Sequence, residues 1–400
     1  MPERPPCRLA ALGVVSALGS GPAETWRGLA AGDQSHFTRR SDLAPGRELW
    51  MGEVRGPLPA VPAELFRYAC RNNALALAAL RQIEAPVREA IARHGADRVG
   101  IVVGTSTSGV GDAEAAIAHH IATQALSPTF YYDQLEFGGA AGFLAELLGT
   151  AGPAYTLSTA CSSGARALAS ARSLLRLGVC DAVVAGAADS LCGLTAGGFA
   201  ALQAVSDGIT NPMSANRAGI TLGEAAALFL VTQEPGGIQL TGAGESSEAH
   251  HMSAPDPEGR GARDAMEAAL ADAGLAARDV AYLNLHGTGT PLNDAMESVA
   301  VDAVFGRALP VSSTKPLVGH TLGAAGALEA AFCWLILDRR ADGELALPPH
   351  RFDGAVDPAI PPLRFAVPGE RAPVGATARV MTNSFGFGGN NCTLVLEAEA

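Results

Sequence analysis

Short apolar runs alternate with longer amphipathic stretches along this chain. Residues 98–103 (RVGIVV) predict a buried strand that runs into the glycine-bounded turn GTSTSG. Residues 181–185 (DAVVA) predict a second strand and 224–232 (EAAALFLVT) a third. Between them, 164–177 (GARALASARSLLRL) has a helical period. Leu168, Ala171 and Leu175 share one face, and Arg172 and Arg176 lie off it. Residues 323–337 are almost wholly small and apolar, the pattern of a helix buried all round. Strands alternating with helices in this way predict an α/β fold with buried sheets.

A degenerate internal repeat sharpens that expectation. DRVGIVVGTSTSG near residue 97 parallels DVAYLNLHGTGT near residue 279: a strand, then Gly-Thr-x-Thr. GEAAALFLVTQE at 223 parallels GGNNCTLVLEAE at 388. Each half also carries a helix of small residues, one after Cys161 and one after His320. The expected organisation is two similar α/β halves, 1–240 and 241–400. Residues 8–21 (RLAALGVVSALGSG) imitate a leader segment, but the glycines within them fit a buried strand and turn. No apolar run approaches the ~20 residues of a membrane span.

Composition adds limits. The chain has 400 residues, 48% of them hydrophobic and 17% charged, too long for one small core. A net charge of −12 argues against binding nucleic acid through general electrostatics, although a local arginine patch could still meet an acidic partner. The seven cysteines are scattered and form no C-x-x-C pair. That argues against a disulfide framework and a metal site, and suits a reducing, cytoplasmic compartment.

Charge also singles out one residue. Lys+Arg total 28, and Lys315 is the only lysine. Drift towards arginine in a chain rich in Ala and Gly is one explanation. The other is chemical, because an ammonium on a thin stem enters a hole that a planar guanidinium cannot. The apolar run 323–337 contains one carboxylate, Glu329, which needs a partner if buried. Lys315 and Glu329 therefore form a candidate buried pair, with His320 between them in sequence.

Three further segments could carry chemistry. Cys161, in TLSTACSSGARALAS, sits between an extended run and a helix. The positive end of a helix favours a thiolate and can bring a cysteine pKa from ~8.5 into a range of roughly 3.5–7.5. The alternative is a buried structural cysteine, which Cys70, Cys180, Cys192, Cys333 and Cys392 fit better. His286 ends a strand in LNLHGTGTPLND, and His320 lies in VGHTLGAAG; either could be a satisfied core histidine. His119, His120, His250 and His251 form doublets in less constrained surroundings, and no histidine has metal-ligand spacing. The turn NSFGFGGNN at 383–391 could present an oxyanion donor or be a plain hairpin.

Together, T-A-C-S-S, H-G-T-G-T, the run from Lys315 to Glu329 and N-S-F-G-F-G-G, in that order, resemble the elongating β-ketoacyl-acyl-carrier-protein synthases. The resemblance covers nearly the whole chain and is strongest from about residue 155 onward. It implies a thiolase-like five-layered α-β-α-β-α fold of two pseudo-symmetric halves. It implies Cys161 as the nucleophile that takes an acyl chain from a carrier protein, and His286 and His320 as the pair that promotes decarboxylation of a malonyl thioester. Lys315 would keep His320 neutral, and Glu329 would hold Lys315. The backbone N–H groups of Cys161 and Phe387 would form the oxyanion hole, with Phe387 gating the entrance. Thr288 and Thr290 would line the pantetheine arm, and Phe385 and Met213 would contact substrate. The implied partners are acyl carrier protein and a second subunit, either another copy or a related chain-length-factor subunit. No metal or resident cofactor is implied, since phosphopantetheine arrives on the carrier.

The segment NPMSANRAGITLGEAA departs from the family pattern: Met213 and Ala218 stand where an aromatic and an acid are usual, so the acyl pocket is expected to differ. GGNN, GTSTSG and SSEAHHMSAPDP resemble the aryl-polyene and pigment branch. Two other readings compete, a non-catalytic chain-length-factor-like partner and a thiolase or starter-type synthase. The presence of Cys161 and both histidines weighs against each. Arg67, Arg71 and the pair Arg339–Arg340 are candidates for docking the acidic carrier, or are solvated surface charges.

Overall fold

In a computed structural model, which describes residues 5–399, the apolar runs become the strands of two matching half-sheets. The strands are β1 (Arg8–Ser16), β2 (Val99–Gly104), β3 (Ala154–Leu157), β4 (Ala182–Asp189), β5 (Ala225–Thr232), β6 (Ile238–Ser247), β7 (Tyr282–Asn284), β8 (Pro310–Ser312), β9 (Arg364–Phe365), β10 (Thr377–Gly386) and β11 (Asn390–Glu399). Their spatial order is β9-β8-β7-β10-β11-β6-β1-β5-β4-β2-β3. The expected strands lie within a residue of their predicted starts, but β4 continues to Asp189.

The repeat is explicit in this order. Outward from the centre, β1-β5-β4-β2-β3 answers β6-β11-β10-β7-β8. In both series the first two pairings are antiparallel and the next two parallel. The half-sheets meet at a single residue pair, Arg8↔Gln239. Corresponding strands even share an irregularity: the register shifts between Leu9 and Ala11 in β1 and between Leu240 and Gly242 in β6. Two residues beyond each shift is a glycine with a helix backbone against it. A Cβ on Gly13 would lie 1.9 Å from the Ala79 carbonyl oxygen, and one on Gly244 would lie 2.0 Å from that of Ala265.

The helices that matter here are α1 (Arg71–His94), α2 (Val110–Thr123), α3 (Ser163–Arg176), α4 (Gly193–Ala201), α5 (Arg260–Ala273), α6 (Pro291–Phe305) and α7 (Ala325–Asp338). Helices α3 and α7 form the middle layer, their apolar side chains joined in one core with the inner faces of both half-sheets. Being covered on every side, α7 is apolar all round, as 323–337 predicted. The two helices cross reciprocally. A Cβ on Gly164 would lie 2.6 Å from Ala327 N, and one on Gly326 would lie 2.6 Å from Ala165 N. Only glycines allow the backbones this close. Helix α1 covers the outer face of the first half-sheet, and α5 and α6 cover that of the second. Five layers result.

One expectation needs adjustment. Arg172 lies off the apolar face of α3 but is only 6% exposed, because its guanidinium donates to Asp272 of α5 and to the Thr241 carbonyl. Residues 8–21 form β1 and a turn returning through a two-residue strand, Gly19–Ser20. No helix among the described residues is long and apolar enough to cross a membrane. Helix α2 buries only Ala113 and leaves Ile117 and Ile121 exposed, and Leu126 just beyond it is 87% exposed.

Candidate active site

The segments that carry the candidate residues leave the carboxyl ends of strands. Cys161 follows β3, His286 follows β7, and His320 follows β8 after a one-turn helix at Lys315–Val318. Pseudo-symmetry brings these ends to one side of the molecule, where ligands of open α/β sheets are usually bound. The sulfur of Cys161 and one ring nitrogen each of His286 and His320 lie within 4.8 Å of one another. Residues separated by 159 positions thus share one cavity of about 280 Å³.

Cys161 is placed by a strained turn. Ala160, just before it, has φ 51°, a left-handed conformation unusual for a residue with a side chain. Ser163 holds the turn: its hydroxyl donates to the Ala160 carbonyl at 2.6 Å and accepts the Thr159 N–H at 2.9 Å. The thiol is 6% exposed and lies 3.1 Å from His320 Nε2. Its expected acidity is not what the structure supports. Burial pushes the thiol up to about 12, and the pull of Lys315 in the other direction is smaller. Asp189 and Glu329 add to the upward push. Cys161 rests as a thiol and needs a base, and His320 Nε2 is at contact distance.

The two imidazoles stand edge to face, with ring centroids 5.4 Å apart at 83°. Burial, and after it the charge of Lys315, holds both well below the ordinary histidine pKa, so both are neutral at physiological pH. Lys315 is 1% exposed. Its ammonium donates to Glu329 at 2.5 Å and to the His286 carbonyl, and lies 3.4 Å from His286 Nδ1. Contact is therefore with His286, while the charge acts on both rings and disfavours a protonated His320, as the sequence suggested. An ammonium has only protons to offer, so His286 Nδ1 is the acceptor and Nε2 carries the hydrogen. The His320 backbone is fixed separately, by its N–H to the Thr221 carbonyl at 2.6 Å and by the Gly223 N–H to its own carbonyl at 3.0 Å.

The rest of the cavity contains most, but not all, of the expected substrate residues. Thr288, Thr290, Phe385 and Phe387 line it. The Thr288 and Thr290 hydroxyls are 2.9 Å apart, and Phe385 packs edge-on to His286 at 5.9 Å. Phe387 is partly exposed and rests on Phe199 at 5.7 Å. Gly386, beside it, lies against Cys161; a Cβ there would be 3.4 Å from Cys161 N. Met213 is not a lining residue. It is buried in the core under α6, where its N–H donates to Asp294 at 2.8 Å and its sulfur accepts from Ser298 at 3.3 Å. Its φ of 64° lies in the left-handed region. Arg67 and Arg71 also lie off the cavity. Arg67 pairs with Glu146 at 2.5 Å, and Arg71 donates to the buried Glu224. Arg339 pairs with Asp338, and Arg340 donates to the Ala398 carbonyl.

Sequence reasoning missed two carboxylates on α6. Glu297 accepts the backbone N–H of His286 at 2.7 Å and of Gly287 at 2.6 Å, and Asp294 accepts that of Gly289 at 3.1 Å. Both are fully buried, and burial pushes Glu297 up to about 7. A signal was present: two acids three apart, Asp294 and Glu297, in the first turns of a helix directly after the glycine-rich loop they hold. The same Cys161, His286 and His320 atoms are close enough to share a soft metal ion. The ammonium of Lys315, 3.4 Å from His286 Nδ1, opposes a cation there.

Comparison with known proteins identifies the family. Residues 9–235 match the beta-ketoacyl synthase N-terminal domain, and residues 238–342 match its C-terminal domain. The chain is 31% identical to 3-oxoacyl-[acyl-carrier-protein] synthase 2 of Staphylococcus aureus, over 96% of this chain and 99% of that one. It is 33% identical to the protein of the same name from Coxiella burnetii, over 96% of each. Among solved structures it is similar to the ketosynthase ApeO of Xenorhabdus doucetiae, in complex with its chain length factor ApeC. That likeness has a TM-score of 0.93 and 43% identity over 100% of both chains.

Proposed function

The chain belongs to the β-ketoacyl synthase family, and from that premise we propose how its residues divide the work of a 3-oxoacyl-[acyl-carrier-protein] synthase with a thiolase-like fold. The enzyme takes an acyl group from one carrier protein and joins it to the two carbons left when malonyl-carrier protein loses carbon dioxide. The observation that carries the assignment of roles is the 3.1 Å contact between Cys161 Sγ and His320 Nε2, with His286 in the same cavity.

In the first step the Cys161 sulfur attacks the acyl thioester. Its proton passes to His320 Nε2 and then to the departing pantetheine sulfur. The high thiol pKa makes this transfer necessary. In the second step the malonyl thioester sheds carbon dioxide, and the electron pair of the broken bond moves onto the thioester oxygen. His286 Nε2–H, its tautomer set by Lys315, donates to that oxygen. His320 donates with it once its hydrogen has moved from Nδ1 to Nε2 by exchange with water; each such donor contributes about 10²–10³ in rate. In the third step the enolate carbon attacks the acyl carbonyl on Cys161. The N–H groups of Cys161 and Phe387 hold the new oxyanion. The sulfur leaves and takes up a proton from solvent.

Phosphopantetheine arrives on the carrier, and no resident cofactor is assigned. The partner subunit is a related chain of the chain-length-factor type. Support comes from the ApeO–ApeC complex and from the exposed apolar side chains of α2 and its sequel, Ile117, Ile121 and Leu126. A second copy of this chain is the alternative. The motifs GGNN, GTSTSG and SSEAHHMSAPDP favour an aryl-polyene or pigment pathway. Seven free, buried cysteines favour the cytoplasm.

The test is mass spectrometry of the protein with acyl-carrier protein, together with carbon dioxide release from malonyl-carrier protein. An acyl adduct on Cys161 and carbon dioxide release are expected. A protein that took no acyl group would instead be the non-catalytic partner, and one sustained by acyl-coenzyme A alone would be a starter-type enzyme.

A further inference from the structure

A further buried carboxylate, outside the cavity and held by neutral donors, supports the site from below. Asp189 ends β4 and is fully buried. Six donors surround it: the hydroxyls of Thr105, Ser106 and Thr107, and the backbone N–H groups of Ser106, Thr107 and Gly323. Backbone N–H groups can only donate, so the arrangement suits a carboxylate ion whose charge is met entirely by dipoles. Burying such a charge is costly, and an arrangement this complete has a structural or functional reason.

The partners of Asp189 show what it joins. Thr105–Thr107 follow β2, and in the pseudo-symmetric order this turn is the counterpart of the turn after β7 that carries His286. The end of β2 touches the helix behind the nucleophile, since a Cβ on Gly104 would lie 2.6 Å from the Ser163 carbonyl carbon. Gly323 lies three residues after His320, and its N–H donates to Asp189 Oδ2 at 2.6 Å. A Cβ on Gly323 would come within 2.7 Å of that same oxygen and 2.8 Å of Ser106 N, so the position accepts only glycine. One carboxylate thus bolts the loop of His320 to the turn that supports the start of α3, and Cys161 and His320 are the two residues whose spacing must be kept.

We infer that Asp189 is a positioning residue for the condensation: through Gly323 it fixes His320 relative to Cys161. Its negative charge also works on the sulfur, adding to the factors that keep Cys161 a thiol until substrate arrives. The inference rests on the roles assigned above to Cys161 and His320.

Asp189→Asn separates this role from general support, because it keeps the volume, removes the charge and turns an N–H₂ towards obligate donors. Two readouts are taken on purified protein: carbon dioxide release from malonyl-carrier protein, and the pH dependence of Cys161 alkylation by iodoacetamide. Displacing His320 should lower the decarboxylation kcat by about 10²-fold, the cost of a ~1 Å misplacement, with a much smaller change in KM. Loss of the charge should move the alkylation profile to lower pH. Wild-type decarboxylation, or a kcat loss with an unmoved alkylation profile, overturns the assignment. If Asp189→Asn does not fold, Ser106→Ala removes one donor and leaves the charge; a selective loss of decarboxylation supports the inference and an unchanged rate overturns it. A wild-type protein that released no carbon dioxide would instead overturn the condensation reading.

Discussion

Lys315 Nζ lies 3.4 Å from His286 Nδ1 and 2.5 Å from Glu329 Oε1, all three groups buried. One ammonium therefore sets a tautomer, lowers the basicity of two imidazoles and neutralises a carboxylate that has no other partner among the described residues. A guanidinium needs a wider slot and five acceptors. Lys315→Arg should therefore lose most condensing activity despite keeping its charge. Normal turnover in that variant would reduce the lone lysine to compositional drift.

Lys315→Met strands Glu329, and the penalty should depend on pH. Burial already raises the Glu329 pKa in the folded protein, and removing the cation raises it further. A carboxyl whose folded pKa exceeds its unfolded value contributes stability below the unfolded pKa and loses it as pH rises through the folded one. Denaturant melts should show a small deficit near about pH 5 and one approaching roughly 3–5 kcal/mol near about pH 8. Adding Glu329→Gln should remove most of that pH dependence. A deficit that is flat with pH would mean that Glu329 is not the group left unpaired.

Cys161→Ala should abolish acyl transfer, by about 10³-fold or more, the scale for removing a nucleophile. In the wild type, a thiol pushed up to about 12 gives a characteristic reactivity. Without substrate, alkylation of Cys161 should rise roughly tenfold per pH unit between about pH 6 and 9, with no plateau. A plateau below neutrality would restore the helix-activated thiolate that the sequence suggested.

The two histidines should separate by step. His286→Ala should slow decarboxylation by about 10²–10³-fold and leave self-acylation of Cys161 largely intact. His320→Ala should impair both, since its Nε2 faces the sulfur. Rapid-quench acylation and carbon dioxide release, measured side by side, check this. Equal losses in both steps for both variants would contradict the division of labour.

The exposed apolar side chains of α2 should belong to an interface. Ile121→Asp places a charge among them and should shift the protein towards monomer in analytical ultracentrifugation with its partner. An unchanged assembly would place the interface elsewhere.

Much of this arrangement was legible in the sequence, for reasons particular residues make clear. The strand before GTSTSG and the strand before HGTGT look alike because β2 and β7 occupy the same place in two copies of one sheet. Glu329 revealed its pairing with Lys315 because a lone acid in an apolar helix requires a cation. What escaped was what depends on approach in space. The Cys161 acidity was misjudged because sequence shows a helix start but not how deeply the sulfur is buried. Met213 lies in the core beneath α6, at a left-handed backbone position that residue type does not reveal. Asp189, Asp294 and Glu297 each bind the chain in part through backbone N–H groups, and residue types do not show which distant backbone a carboxylate reaches.

The burial of Lys315 has a chemical corollary. Thioesters acylate free amines without any catalyst, and this enzyme spends its working life among them. Its only lysine is shut inside, and every other fixed side-chain cation is an arginine, which does not react in that way. The folded protein offers its own substrates no side-chain amine on which to be lost.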